Sequence, residues 1–143
     1  MSPASALRAA SPYLLAGLLT FAGTVHFTAP DRYAQIMPGF FPEETHRPLV
    51  YASGAAELLC AALVAVRRTR RLGGYATIAL FVAVFPANVK MALDGGIPGA
   101  GFPLGSPVVA WARLPFQVPL IVWAWQVARS ARGGAVLGGR AIV

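Results

Sequence analysis

The chain has 143 residues, of which 57% are hydrophobic and 12% are charged, and its formal net charge is +7. A soluble domain carries about 25% charged residues, so this composition indicates a membrane protein with several crossings. The basic residues stand at the ends of apolar runs and form no groove interleaved with aromatic residues, so nucleic acid is not a predicted partner.

Four apolar segments are predicted to cross the membrane, since each approaches the roughly 20 residues that a spanning helix needs. They are residues 12–27, 48–66, 72–92 and 107–128, and an earlier start of the first, in the Ala-rich lead, is left open. We interpret the first as an anchored helix because it has no convincing signal cleavage site. The predicted fold class is all-α, an integral membrane four-helix bundle. One domain, 12–128, lies between an N-terminal lead, 1–11, and a basic flexible tail, 129–143. Prolines are predicted to stand at three helix starts, namely Pro12, Pro48 and Pro107.

The arginines predict the orientation of this bundle. The turn 67–71 holds four arginines, and further arginines flank both ends of the chain. The loop 94–106 carries neither lysine nor arginine, and the loop 28–47 carries only two arginines. Because Lys and Arg are retained on the cytoplasmic side, both termini are predicted to be cytoplasmic, in the inner membrane of a bacterium. The aromatic stretch 33–42 is too short to span and is expected to cap the outer end of the bundle.

Glu57 is the most unusual residue, because it lies in an otherwise uncharged stretch, 49–66. A carboxylate in hydrocarbon costs roughly 2.5–3.5 kcal/mol even on lenient scales, so such a residue pairs, faces a wet cavity or takes part in chemistry. Counting about 1.5 Å per residue places Glu57 level with Gln117, with Arg113 about one turn above. Arg113 and Gln117 are four residues apart and share a helix face, as do Ser53 and Glu57.

We therefore expect an ion pair between Glu57 and Arg113, with Gln117 and Asn88 completing its hydrogen bonds. Together with His26 these side chains predict a cavity that opens to the outer side. His26, Asn88 and Arg113 would form its rim, and Glu57 and Gln117 its floor.

Internal prolines add acceptors to the same region, since each removes one backbone donor from its helix. Pro86 would free the carbonyl of Val82, and Pro115 and Pro119 would free two more in the fourth span. Lys90 is two residues from Asn88, faces elsewhere and is expected to extend outward to the interface.

Structural interpretations of the same residues stay open. The ion pair could act only as a staple that sets helix register, and Asn88 only as interhelical glue. His26 could serve as a hydrogen-bonding cap. The single cysteine, Cys60, permits no disulfide within the chain. No two residues have metal-ligand spacing, so no metal site is predicted.

The chain resembles the DoxX-like family of small four-helix bacterial membrane proteins. The matching segments are GTVHF at 23–27, Pro30 and Tyr33, IMP at 36–38, FP at 41–42, LVYASG at 49–54 with Glu57, VFPANVKM at 84–91 and RLPFQ at 113–117. The family is related to subunits of thiosulfate:quinone oxidoreductase, and other members are linked to membrane redox and oxidative-stress complexes. The resemblance implies a quinone-linked redox subunit or redox-accessory subunit.

In that interpretation Arg113 and Gln117 bind an oxyanion or quinone carbonyl, Glu57 relays protons, and His26 acts as acid and base at the mouth. Asn88 and Ser53 are further candidate ligand-binding residues. No covalently bound cofactor is expected. The chain has no cysteine pair, haem motif or flavin motif, so electrons would pass through a diffusible quinone or a partner subunit.

Two other functions are kept open. One is a non-catalytic membrane protein that binds a lipid or small molecule, or that forms a scaffold for a soluble or membrane redox partner. The other is a transporter, for which one four-helix protomer offers little alternating-access machinery unless it forms a homo-oligomer.

Overall fold

Helices account for most of the chain. The computed structural model describes residues 2–131, which contain five α-helices and no β-strand. The helices are α1 (Pro3–Thr28), α2 (Pro30–Ala34), α3 (Glu43–Ala65), α4 (Arg70–Leu93) and α5 (Pro107–Ser130). The predicted all-α class is confirmed. Most of the predicted tail, 132–143, lies outside the described residues.

Three of the four long helices are long and apolar enough to cross a membrane, namely α3, α4 and α5. Helix α1 has 26 residues and is not among these three. Large apolar side chains are nevertheless exposed along all four long helices, including Phe21 on α1, Leu59 on α3, Val82 on α4 and Phe116 on α5. Such an apolar surface is typical of helices that face lipid.

Two of the predicted helix starts are wrong. Pro12 and Pro48 lie inside α1 and α3, which begin at Pro3 and Glu43. Helix α1 starts earlier because Ser2 caps it, with its hydroxyl accepting from the backbone N–H of Ser5 at 3.3 Å. The start of α3 carries two acidic residues in its first turn, where the helix dipole favours negative charge. Only α5 begins at its predicted proline, Pro107.

The helices pack as two pairs, α1 with α3 and α4 with α5, and the α3–α4 contact joins the pairs. We call the end of the bundle that carries residues 29–42 and 94–106 the loop end. The opposite end, at the turn 66–69, is the arginine end. A buried apolar cluster that includes Leu15, Val64 and Val127 fills the arginine end.

The turn at the arginine end is held by its own side chains. Arg70 donates from Nε to the Val64 carbonyl at 2.8 Å and from a terminal nitrogen to the Ala65 carbonyl at 2.9 Å. The Thr69 hydroxyl donates to the Leu63 carbonyl at 2.9 Å. These bonds satisfy the last carbonyls of α3, which have no partner within the helix.

A second cluster, at the loop end, fastens both connecting segments to the bundle. Ile36 and Ile97 are buried there against Met91 and Ala110. Lys90, which is expected to extend outward, donates to the Gln35 carbonyl at 3.1 Å and pairs with Asp94 at this end. The stretch 29–42 therefore covers the loop end, as the sequence predicts.

Glycines set the close approach of α1 and α3. A Cβ added at Gly54 would lie 2.7 Å from the Cβ of His26 and 2.9 Å from the carbonyl oxygen of Gly23. Contacts this short leave no room for a methyl group, so the two helices touch backbone to backbone here. Small residues at such crossings are the usual means by which membrane helices pack closely.

This contact predicts the effect of adding one methyl group. Gly54→Ala should lower the free energy of unfolding by roughly 1–3 kcal/mol, because the backbones of α1 and α3 must separate. Gly17→Ala on α1 is the matched control, since an added Cβ there has no atom within 4 Å. Unfolding of both variants in mixed micelles, followed by circular dichroism, tests the prediction. Equal stability of the two variants would contradict it.

Candidate functional site

A cavity of about 470 Å³ lies between α1, α3, α4, α5 and the segment that covers the loop end. This volume is within the range of about 300–1,000 Å³ that small-molecule sites occupy. Most of the lining is apolar. All six site residues predicted from the sequence line this one cavity, namely His26, Ser53, Glu57, Asn88, Arg113 and Gln117.

Helical spacing explains why these side chains converge. On α3 the lining residues Val50, Ser53 and Glu57 are three and four positions apart, which is one face of a helix. On α5 the same spacing aligns Arg113 and Gln117. The faces predicted from the sequence are thus the faces turned to the cavity.

The ionic partner of Glu57 is His26. Nδ1 of His26 lies 3.1 Å from Oε2 of Glu57, and both side chains are almost buried, with exposed fractions of 13% and 10%. The pair forms where Gly54 lets α1 approach α3, one turn from Glu57. A deep carboxylate is therefore placed beside an imidazole, a group that exchanges protons near neutral pH.

The predicted ion pair between Glu57 and Arg113 is not formed. Within residues 2–131 the ion-pair partner of Glu57 is His26, and Arg113 makes no ion pair. The reason is the packing of the helices, since α3 lies closest to α1 and α5 lies closest to α4. Arg113 is half-buried and lines the same cavity, so two opposite charges share the space without contact.

One carboxylate oxygen of Glu57 is left without a hydrogen-bond donor. Nδ1 of His26 carries at most one hydrogen, and its hydrogen bond goes to the Ala22 carbonyl at 2.8 Å. Oε2 of Glu57 is buried and accepts no hydrogen bond from any group in residues 2–131. Buried polar atoms almost always have a partner, so an exception such as this one requires an explanation.

Asn88 and Gln117, which are expected to complete the hydrogen bonds of the Glu57–Arg113 pair, bond instead to each other. The Asn88 amide donates to Oε1 of Gln117 at 3.0 Å, and the Gln117 amide donates to the backbone carbonyl of Phe81. This acceptor lies one residue before Val82, whose carbonyl Pro86 was expected to free. The chain of bonds joins α4 to α5 at the depth of the cavity.

Sequence reasoning missed the part played by Tyr33. Its ring stacks on His26, with centroids 4.3 Å apart and planes 24° from parallel. Burial raises the pKa of the Tyr33 phenol above its ordinary value, while the positive charge of Arg113 lowers it to a lesser extent. The phenol stays protonated at neutral pH and remains a donor beside the cavity. The aromatic stretch that begins at Tyr33 could have indicated this contact, but from the sequence it is interpreted only as a cap on the outer end of the bundle.

The loop 94–106 and the potential metal ligands give less support for a functional site than this cavity does. The loop 94–106 encloses an open hollow of about 550 Å³ lined mainly by glycine, proline and backbone. Its one charged residue, Asp94, is already paired with Lys90. Among the described residues no group of three or more His, Cys, Asp and Glu side chains could hold a metal ion.

Residues 15–128 match the model of a protein family described as "Domain of unknown function (DUF8561)". The chain belongs to this family. The matched region runs from the middle of α1 to the last turn of α5 and includes every side chain named in the cavity. No curated protein and no solved structure matches the chain.

The bonds of Gln117 predict a measurable contribution to stability. Gln117→Leu should cost about 1–2 kcal/mol, because it leaves the Asn88 amide without its partner and removes a second hydrogen bond to the Phe81 carbonyl. Gln126→Leu is the matched control, since Gln126 lies on the exposed face of the same helix. Unfolding in mixed micelles compares the two variants. A Gln117→Leu protein no less stable than Gln126→Leu would disprove the contribution.

Proposed function

We propose that this chain is a four-helix integral membrane protein that binds a small amphipathic ligand in the cavity. Three helices have the length and composition of membrane spans, and we propose α1 as the fourth. Its exposed apolar residues, including Leu14, Leu18 and Phe21, support this, since they would otherwise face water.

The orientation is proposed from the arginines. The arginine end carries Arg67, Arg68 and Arg71 on its surface, and Arg129 lies over the ring of Trp125 at 4.6 Å. Retention of Lys and Arg on the cytoplasmic side supports a cytoplasmic arginine end in a bacterial inner membrane. The cavity then lies in the half of the bundle nearer the outer surface.

One observation carries the binding proposal: Glu57 has a buried oxygen without a donor in a mainly apolar cavity that Arg113 also lines. A ligand that donates a hydrogen to Glu57 and presents an oxygen to Arg113 would satisfy both groups. The apolar lining, with Val50, Phe81 and Leu120, fits a ring or chain next to that polar end.

The hydroquinone form of a quinone fits these requirements, and the resemblance to the DoxX-like family supports a quinone ligand. Arg113 has donors for a carbonyl oxygen, and Glu57 has an acceptor for a hydroxyl. Reduction of a quinone to its hydroquinone takes two protons and two electrons, the electrons here coming from a reduced partner protein. His26 and Glu57, whose Nδ1 and Oε2 atoms lie 3.1 Å apart, would hand protons to the bound quinone.

Non-catalytic binding of a lipid or small molecule is the second candidate. The closed bonds between Asn88, Gln117 and the Phe81 carbonyl favour it, since they hold the cavity shape without offering a reactive group. A scaffold for a redox partner at the loop end belongs to the same class.

Binding can be measured with decyl-benzoquinone, whose uptake into nanodiscs holding the protein quenches tryptophan fluorescence. Arg113→Gln should weaken binding about 10- to 100-fold, the size expected for a lost charge-assisted hydrogen bond. Glu57→Gln should weaken binding of the hydroquinone form in the same way. Arg129→Gln is the control, because Arg129 lies at the arginine end. Equal affinity in all proteins would exclude a quinone site.

The redox role has a separate readout. If Glu57 relays protons, membranes of cells producing Glu57→Gln should differ from those with the unaltered protein in the ratio of reduced to oxidised quinone. An unchanged ratio together with weakened binding would exclude the redox role and leave the binding function.

The proposed orientation is tested by cysteine labelling in a Cys60→Ala background. Phe102 in the loop 94–106 is 85% exposed, and Arg68 lies in the opposite turn. A membrane-impermeant maleimide applied to intact cells with a permeabilised outer envelope should label Phe102→Cys. It should label Arg68→Cys only after the inner membrane is disrupted. The reverse pattern would invert the topology.

A further inference from the structure

We infer that the cavity opens sideways into the bilayer between α1 and α4, and that its ligand is a molecule dissolved in the membrane. The inference rests on the proposed membrane-spanning, ligand-binding function and names the class of ligand and its route. A gap in the helix packing, the exposure of the lining and the depth of the opening support it.

The gap follows from the way the helices pair. Helix α1 packs extensively on α3, and α4 packs extensively on α5, whereas α1 makes few contacts with α5 and fewer still with α4. At the arginine end the two pairs are joined by the buried cluster and by Trp123, whose indole donates to the Ser11 hydroxyl at 2.8 Å. Between the arginine end and the loop end, both α1 and α4 contribute lining residues to the cavity.

The exposure of the lining residues locates the mouth. Every exposed lining residue is apolar, and every polar one is buried or half-buried. The exposed members are Leu18 on α1, Ala83 and Pro86 on α4, and Phe40 and Phe41 in the covering segment. A mouth with this rim would be poorly wetted by water and matches a hydrocarbon environment.

The depth of the rim agrees with an opening into the membrane. Leu18 and Ala83 each lie ten residues from the loop end of their helices, which is about 15 Å at 1.5 Å per residue. The hydrocarbon core is about 30 Å thick, so both residues lie near its middle. A ligand that enters there comes from the lipid.

The route from the aqueous side is covered. Pro38 and Ile36 of the covering segment are buried over the cavity, and Lys90 ties this segment to α4 through the Gln35 carbonyl. The ligand that suits this geometry has an apolar tail that leaves between Leu18 and Ala83. Its polar end carries a hydroxyl or carbonyl that reaches Glu57 and Arg113.

Access can be measured without knowing the ligand. In proteoliposomes of the Cys60→Ala protein, Ser53→Cys places a thiol in the cavity lining. The thiol should react faster with N-dodecylmaleimide dissolved in the bilayer than with a sulfonated, water-soluble maleimide. Ala83→Trp, which fills the rim, should slow the reaction with N-dodecylmaleimide at least tenfold, and Leu18→Trp should do the same if Ala83→Trp fails to fold.

Val82→Trp and Leu14→Trp are matched controls, because both residues are exposed on the same helices outside the cavity lining and should leave the rate unchanged. Faster reaction with the sulfonated reagent, reaction with neither reagent, or equal slowing by the control tryptophans would overturn the lateral route. Quinone binding is measured at equilibrium in nanodiscs, so its failure and the failure of the lateral route are separate results.

Discussion

The close approach of α1 and α3 at Gly23 and Gly54 is the constraint on which the cavity depends. With backbones in contact, His26 is brought within 3.1 Å of Glu57, deep in the bundle. Helix α1 makes its main contact there, on α3, and few contacts with α4 or α5. The glycines at this crossing thus place the His26–Glu57 pair at the cavity that the four long helices line.

The polar groups of the cavity form two sets with different structural roles. Asn88 and Gln117 satisfy each other and the Phe81 carbonyl, so they hold α4 to α5 and have little capacity left. Glu57 and Arg113 line the same space, and within residues 2–131 Oε2 of Glu57 accepts no hydrogen bond and Arg113 makes no ion pair. Because a buried polar atom without a hydrogen-bond partner is costly, this second set is the part of the molecule that gains most from a ligand.

Much of the site could be predicted from the sequence because helical periodicity fixes which side chains share a face. Spacing of four residues placed Ser53 with Glu57 and Arg113 with Gln117, and depth counting put Glu57 level with Gln117 and Arg113 one turn above. Neither tells which helices are neighbours, so the partner of Glu57 was assigned to Arg113 instead of His26. Pro12 and Pro48 were wrongly predicted to start helices. The Ser2 cap extends α1 towards the N-terminus, and two acidic residues in the first turn do the same for α3.

The division of the bundle into two helix pairs has a consequence for biosynthesis. Helices α1 and α3 make their main contact with each other, so this hairpin has its packing partner before α4 leaves the ribosome. Arg70 then fixes the turn by binding the last carbonyls of α3. The carboxylate of Glu57 is thus paired with His26 early, and the cavity acquires its second wall, with Arg113, only when the last helix docks.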